Sequence, residues 1–441
     1  MNNYIINGGK KLRGTAVINP SKNSAVAILI ASLINTKKTT ILNLPKIEEV
    51  YRIIEVMESI GVKTKWKGKA FDIIPPSARA LQARPKKFNL NKINVKAAIK
   101  TRSIVLLIGV LAHKFHSFSL PMSGGCKLGK RTIMPHIYAL ENFGIKINIF
   151  CNKLNISCKK LHSADEIVMY ESGDTATINT ILTASLVPGR TVIKFASSNY
   201  QVQDLCYFLK KLGVRIDGIG TTTLIILGKR KLSKEIKYYL TEDPIESMLF
   251  IAVAAVTNSS IIIKRCPIEF LEIELLKLKK MCFRFKILRR YKARNGHSRL
   301  VDIGTFSSNL TAPIEKLYGR PFPGLNIDNL PFFVPIATQA KGQTLIHDWV
   351  YENRAIYYTE LNRLGANIKL ADSHRVFIDG PTKLKGAEIM CPPALRPSAI
   401  ILVAMLAAKG KSILKNTYAI ERGYEDLCGR LRELGADIVK K

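Results

Sequence analysis

The stretch SIGVKTK, Ser59–Lys65, decides the fold, because the chain writes it six times. NFGIKIN begins at Asn142, KLGVRID at Lys211, RLGANIK at Arg363 and ELGADIV at Glu433. KMCFRFK, from Lys280, is the sixth copy, with Cys282 where the others carry glycine. The key positions Gly61, Gly144, Gly213, Cys282, Gly365 and Gly435 are 83, 69, 69, 83 and 70 residues apart. The 83–69 spacing thus recurs, and the second half of the chain repeats the first at an offset of 221 or 222 residues. A fixed internal period of this kind marks a repeat architecture.

Each phrase closes a similar unit. An apolar helix rich in small residues comes first, as in KNSAVAILIASLI (Lys22–Ile34). A short β-branched run follows, as in TTILNLP (Thr39–Pro45), and then a second, amphipathic helix. In IEEVYRIIEVMESIG the apolar residues Ile47, Val50, Ile53, Ile54 and Met57 recur at helical period. The glycine then ends that helix in a left-handed cap, and a strand leaves it. Helices without a polar face must be buried nearly all round. The pattern predicts a duplicated three-unit α/β domain. A cleft between two such domains is the usual place for a ligand. A helical solenoid is the competing architecture, and the strand after each buried helix argues against it.

The 441 residues suit two or three domains. The longest apolar runs, near Ser103–Ala112 and Met248–Val256, are too short to span a bilayer. The N-terminal MNNYIINGGKKLRG has no apolar signal region. A soluble, cytoplasmic protein is expected. Eight cysteines form no CxxC pair and no disulfide framework, and seven histidines form no HxH or HxxxH pair, so a metal site has no support. The formal charge of +35 admits nucleic-acid binding, a site for anionic small molecules, or a solvated lysine-rich surface. The cations are spread along the whole chain rather than gathered into one arm. This favours the third reading and leaves room for a local anion site.

One loop stands apart. In SGGCKLGKR, Ser123–Arg131, a cysteine follows two glycines and is surrounded by Lys127, Lys130 and Arg131. Neighbouring cations lower a thiol's pKa and favour the thiolate. A surface turn that happens to hold a cysteine is the plain alternative.

The six units and the Cys126 loop, with GGKKLRGTAVINPSKNSA near the start, VYENR at Val350, ALRPSA at Ala394 and ERGYEDL at Glu421, together resemble the enolpyruvyltransferase (EPSP synthase-like) family. The resemblance runs from Ile6 to about Ile438. It is closer to the members acting on UDP-N-acetylglucosamine than to those acting on a phosphorylated shikimate. It implies a two-domain inside-out α/β barrel, three units per domain. Residues 22–241 would form the first domain, 1–21 with 242–441 the second, and the active-site cleft would lie between them. It implies transfer of enolpyruvyl from phosphoenolpyruvate to the 3-hydroxyl of UDP-N-acetylglucosamine with release of phosphate, the first step of peptidoglycan precursor synthesis. No metal or organic cofactor, no membrane and no specific nucleic acid is implied, and a monomer is expected.

The resemblance also assigns residues. Lys22, Arg102, Arg131, Arg396 and Arg422 would meet the anionic groups, which suits the forked donors of arginine. Lys22 and Asn23 open a buried helix, whose free N–H groups also favour anions. Cys126 would be the general acid toward the enolpyruvyl methylene, with Lys22 also in the catalytic set. Asp328, in PFPGLNIDNLPFF, would take the proton of the sugar hydroxyl; capping the following helix is its alternative role. Ser172 and Gly173 would lie in the nucleotide loop, and Val350 and Arg354 among the substrate contacts.

The chain departs from the family pattern at Met134 and Ala394, where aspartates are usual, and at Asn329-Leu330 after Asp328. Glu171 and Asp174 put acid beside the expected diphosphate loop. Two other readings therefore stay open. One is a transferase for another nucleotide-sugar or anionic alcohol. The other is a catalytically weak basic paralogue that binds nucleic acid.

Overall fold

The computed structural model describes residues 2–76, 88–122, 128 and 132–441. Its contacts divide the chain into two units. Pro20–Gly125 with Arg131–Thr241 form the N-terminal unit; Met1–Asn19 and Glu242–Lys441, with the short stretch around Leu128, form the C-terminal one.

The repeated phrase is a repeated turn. Gly61, Gly144, Gly213, Gly365 and Gly435 all have φ between 82° and 100°, and Cys282 has φ 63°. Behind Gly61 the same two bonds close the helix that recur behind Gly213, Gly365 and Gly435. Gly61 N–H donates to the Glu58 carbonyl (2.9 Å) and Val62 N–H to that of Met57 (3.1 Å). Cys282 N–H to Lys279 (3.1 Å) and Phe283 N–H to Leu278 (2.9 Å) repeat the pattern without glycine. This is the Schellman closure, which needs a left-handed residue. The helix it ends, Glu48–Ser59, buries Val50, Ile53, Ile54, Val56 and Met57. In the copy at Gly365 the equivalent segment, Ala355–Leu364, is wound more tightly as a 3₁₀ helix.

The small-residue helices form the interior. Every residue of Ser24–Ala31, Ala176–Leu186 and Pro244–Val256 is buried. Polar groups in Asp174–Leu186 survive burial by bonding inward. Thr180, Thr183 and Ser185 hydroxyls donate to the carbonyls of Ala176, Asn179 and Ile181.

Around these helices stand six small sheets, five four-stranded and one three-stranded among the described residues. In the first, Thr39–Leu42 pairs antiparallel with Ala70–Ile74, which hairpins to Lys63–Lys67, while Ile236–Tyr239 adds in parallel. Helices inside and sheets outside make each unit an inside-out α/β barrel. The N-terminal strands complete the C-terminal unit. Arg13–Val17 runs parallel to Ser260–Lys264. Tyr4–Gly8 inserts between Gly410–Lys415 and Asp437–Lys440, antiparallel to both, and so fills the middle place that the chain's own end leaves open. Among the described residues, no helix is long and apolar enough to cross a membrane.

Candidate active site

In the C-terminal unit the structure brings Asp328, Arg354 and Arg396 together. Arg396 is the second residue of the buried helix Leu395–Ala407. One of its terminal nitrogens lies 3.3 Å from Asp328 Oδ2, and the other donates to the Tyr424 hydroxyl at 2.8 Å. Tyr424 belongs to ERGYEDL, and Gly423 lets that segment sit against ALRPSA. A Cβ on Gly423 would stand 2.2 Å from a Leu395 methyl. Arg422, half-buried, ends the short helix Tyr418–Glu421, its N–H on the Tyr418 carbonyl.

Arg354 is only 1% exposed. Its guanidinium donates to both Asp348 oxygens, at 2.5 and 2.8 Å, and to the Ile327 carbonyl at 2.7 Å. Its remaining nitrogen stands 3.8 Å from Asp328 Oδ1. The Tyr358 hydroxyl also donates to Asp348, and the Tyr351 ring lies 4.1 Å from the guanidinium carbon. Sequence reasoning expected a substrate contact from Arg354. In the structure Arg354 is buried, with Nε and one terminal nitrogen committed to Asp348 and the Ile327 carbonyl and the other terminal nitrogen turned toward Asp328. Asp328 does not cap the following helix. The turn Leu330–Phe332 starts at Asn329 without a side-chain cap, and the Asp328 carboxylate, about a quarter exposed, faces the two arginines. A carboxylate so held can accept a proton from a hydroxyl on its open side.

Asp243 lies behind this group as the N-cap of Pro244–Val256, accepting from the Ile245 and Glu246 N–H groups. Burial pushes its carboxyl up to about 6, against the pull of the Arg396 guanidinium, while Glu246 adds to the rise. Ala394, where the family usually has aspartate, is 1% exposed and packs with Leu128 and Tyr351, flanked by Ile327 and Tyr357. That spot is apolar in this chain. Val350, next to Tyr351, is 36% exposed.

The N-terminal unit holds the other candidates. Lys22 and Asn23 open the helix Lys22–Ala31, capped by the Ser21 hydroxyl. The Asn23 amide donates to the buried Tyr200 hydroxyl at 3.0 Å. Arg102 donates to the Thr132 carbonyl at 2.9 Å, just before the helix Met134–Glu141. Ser172 and Gly173 are half-buried at the start of Asp174–Leu186. Asp174 is not the intruder its charge suggests, since the Ser197 hydroxyl (2.5 Å) and the Asn199 (3.2 Å) and Gln201 amides all donate to it. It also stands in the first turn, where the helix dipole favours an anion. Cys126 and Arg131 lie outside the described residues.

The supports Asp348, Tyr358 and Tyr424 were missed by sequence reasoning. Tyr424 could have been found inside ERGYEDL. Asp348 was discoverable only by asking which acid neutralises a buried arginine.

The family model described as EPSP synthase (3-phosphoshikimate 1-carboxyvinyltransferase) matches residues 6–431. The chain belongs to that family of α/β enzymes. A protein of Bradyrhizobium diazoefficiens named UDP-N-acetylglucosamine 1-carboxyvinyltransferase is 33% identical, over 99% of this chain and 97% of its own. A Treponema denticola protein of the same name is 32% identical over the whole of both chains. Among solved structures, the enolpyruvyl transferase NikO from Streptomyces tendae superposes with a TM-score of 0.85 at 22% identity, covering 100% of this chain and 99% of that one. EPSP synthase from Acinetobacter baumannii gives 0.77 at 17%, covering both chains fully.

Proposed function

We propose that the protein transfers the enolpyruvyl group of phosphoenolpyruvate to the 3-hydroxyl of UDP-N-acetylglucosamine, releasing phosphate, as a monomeric cytoplasmic enzyme opening peptidoglycan precursor synthesis. The observation that carries it is Asp328, an accessible carboxylate held between Arg354 and Arg396. The names of full-length relatives support the substrate pair.

In this reading Asp328 takes the acceptor hydroxyl's proton as its oxygen bonds to C2 of phosphoenolpyruvate. Cys126 gives a proton to the methylene carbon. Loss of phosphate with a proton from that carbon then restores the double bond, now in an enol ether. Lys22, Arg131, Arg396 and Arg422 neutralise the carboxylate and phosphate, where fixed cations act without reorganising. Asn23, Arg102, Ser172, Gly173 and Val350 hold the substrates.

The test is phosphate release from phosphoenolpyruvate, with and without UDP-N-acetylglucosamine. Acceptor-dependent release is expected, falling by about 10²–10⁴-fold in Cys126→Ala and in Asp328→Asn. The half-buried Met134, at the start of its helix, favours a second reading in which the acceptor differs. Release only with another nucleotide-sugar would select it. Salt-sensitive nucleic-acid binding without any release would favour the basic paralogue.

A further inference from the structure

Asp328 sits on a turn that is itself held from beneath. The Asp328 N–H donates to Asn326 Oδ1 at 2.9 Å. The Asn326 N–H and the Asn329 side-chain amide both donate to one oxygen of Glu274, Oε1, at 3.2 and 2.9 Å. Glu274 lies in the first turn of the helix Glu272–Lys280 and is 1% exposed; Asn329 is fully buried. Two atoms of this cluster are orphans. Glu274 Oε2 and Asn329 Oδ1 are buried without a hydrogen-bond partner among the described residues.

Two buried acceptors left unsatisfied on directly bonded neighbours are costly if the acid is ionised, since neither can donate. A proton on Oε2 removes the problem. The acid then donates to Asn329 Oδ1 while the Asn329 amide donates to Oε1, a closed acid–amide pair.

We infer that Glu274 is a positioning residue for Asp328, acting as the neutral acid partner of Asn329 and fixing the turn Asn326–Asn329 that carries the proposed base. This rests on the reading of Asp328 as the acceptor's base. Glu274 touches no substrate; it acts through the turn. Burial independently pushes its carboxyl upward, with the Asn329 bond pulling the other way.

Four variants test the inference: Glu274→Gln, Glu274→Met, Asn329→Asp, and the exchanged pair Glu274→Gln/Asn329→Asp. Glutamine keeps an acceptor and a donor where the neutral acid has them, so Glu274→Gln is expected to stay close to wild type. Methionine keeps the length and loses both. Misplacing the base should lower kcat by about 10²-fold with little change in KM for either substrate. The exchanged pair rebuilds amide and acid with their places reversed and is expected to be more active than Asn329→Asp alone. It also serves if Glu274→Met does not fold.

A second readout needs no turnover. The ¹³C-carboxyl titration of Asp328, assigned through Asp328→Asn, should move in Glu274→Met and not in Glu274→Gln. Equal loss in Glu274→Gln and Glu274→Met, or an exchanged pair no better than Asn329→Asp, would overturn the inference. If the wild type releases no phosphate while the Asp328 titration responds as stated, the assigned reaction falls and the positioning role stands.

Discussion

At the scale of single residues, the site depends on one buried ion pair more than on any exposed cation. Asp348 and Arg354 are each 1% exposed, and their contact is bidentate. Asp348→Ala would leave the buried guanidinium with only the more distant Asp328 carboxylate, at 3.8 Å, in place of its bidentate partner, and breaking such a buried pair costs about 3–5 kcal/mol. The expected outcome is a lower urea midpoint for the C-terminal unit, together with lost activity, because the Ile327 carbonyl and Asp328 lose their anchor. A midpoint within error of wild type would refute it. Arg354 was visible in the sequence only through the VYENR resemblance, which gave no sign of its burial against Asp348. Its partner lies six residues upstream across an irregular connection, where no periodic pattern ties a carboxylate to a guanidinium. Asp328, by contrast, stood out as an acid before an apolar turn, yet only the structure separates a helix cap from a carboxylate facing two arginines.

At the scale of elements, the helix stop was legible because its physics is local. A left-handed residue must follow each amphipathic helix, and glycine is the cheap solution. Cys282 meets the same demand with a side chain, at φ 63°. An L-residue there costs about 1–2 kcal/mol, partly offset by the greater freedom glycine has when unfolded. Cys282→Gly is therefore expected to stabilise the C-terminal unit by about 1 kcal/mol, less the weak bond from the Thr311 hydroxyl to Sγ. A denaturation midpoint that fails to rise would count against this. The strand that follows, Arg284–Lys292, is the edge of its sheet and exposes Arg284, Lys286, Arg289, Arg290 and Lys292. Charge on an open edge discourages pairing with another chain, which gives part of the +35 a structural use. The place of Tyr4–Gly8 in the last sheet was not readable from pattern. Its partners lie more than 400 residues away, and the family resemblance alone pointed to the C-terminal half.

At the scale of the whole molecule, the buried titratable groups of the two units contribute to the acid response in opposite senses. In the N-terminal unit, burial pushes His136 down to about 3, with the Arg102 charge adding to the fall, and His113 down to about 4. The contacts explain why His136 resists protonation. The Asn179 amide donates to Nδ1, and Nε2 shares a bond with the Thr175 hydroxyl, so a proton on Nδ1 would face a donor. A histidine whose folded pKa lies below its unfolded value gives stability that is full above about 6.5 and is lost as pH falls toward the folded value. In the C-terminal unit the sign reverses. Asp243, raised to about 6, binds its proton more tightly folded than unfolded, and Glu274 is raised by burial as well. That unit gains stability as pH falls through 6 toward 4, while its half-buried His347, pushed down by burial, offsets part of the gain. The chain offers a probe for each half, since its two tryptophans are Trp66 and Trp349, one per unit. Thermal unfolding followed by fluorescence in Trp349→Phe reports the N-terminal unit, and in Trp66→Phe the C-terminal one. Between pH 7.5 and 5 the first midpoint should fall markedly more than the second, and His136→Gln should flatten the first. Rising positive charge acts on both units, so equal shifts in the two variants would assign the acid response to net charge and remove the buried histidines as its cause.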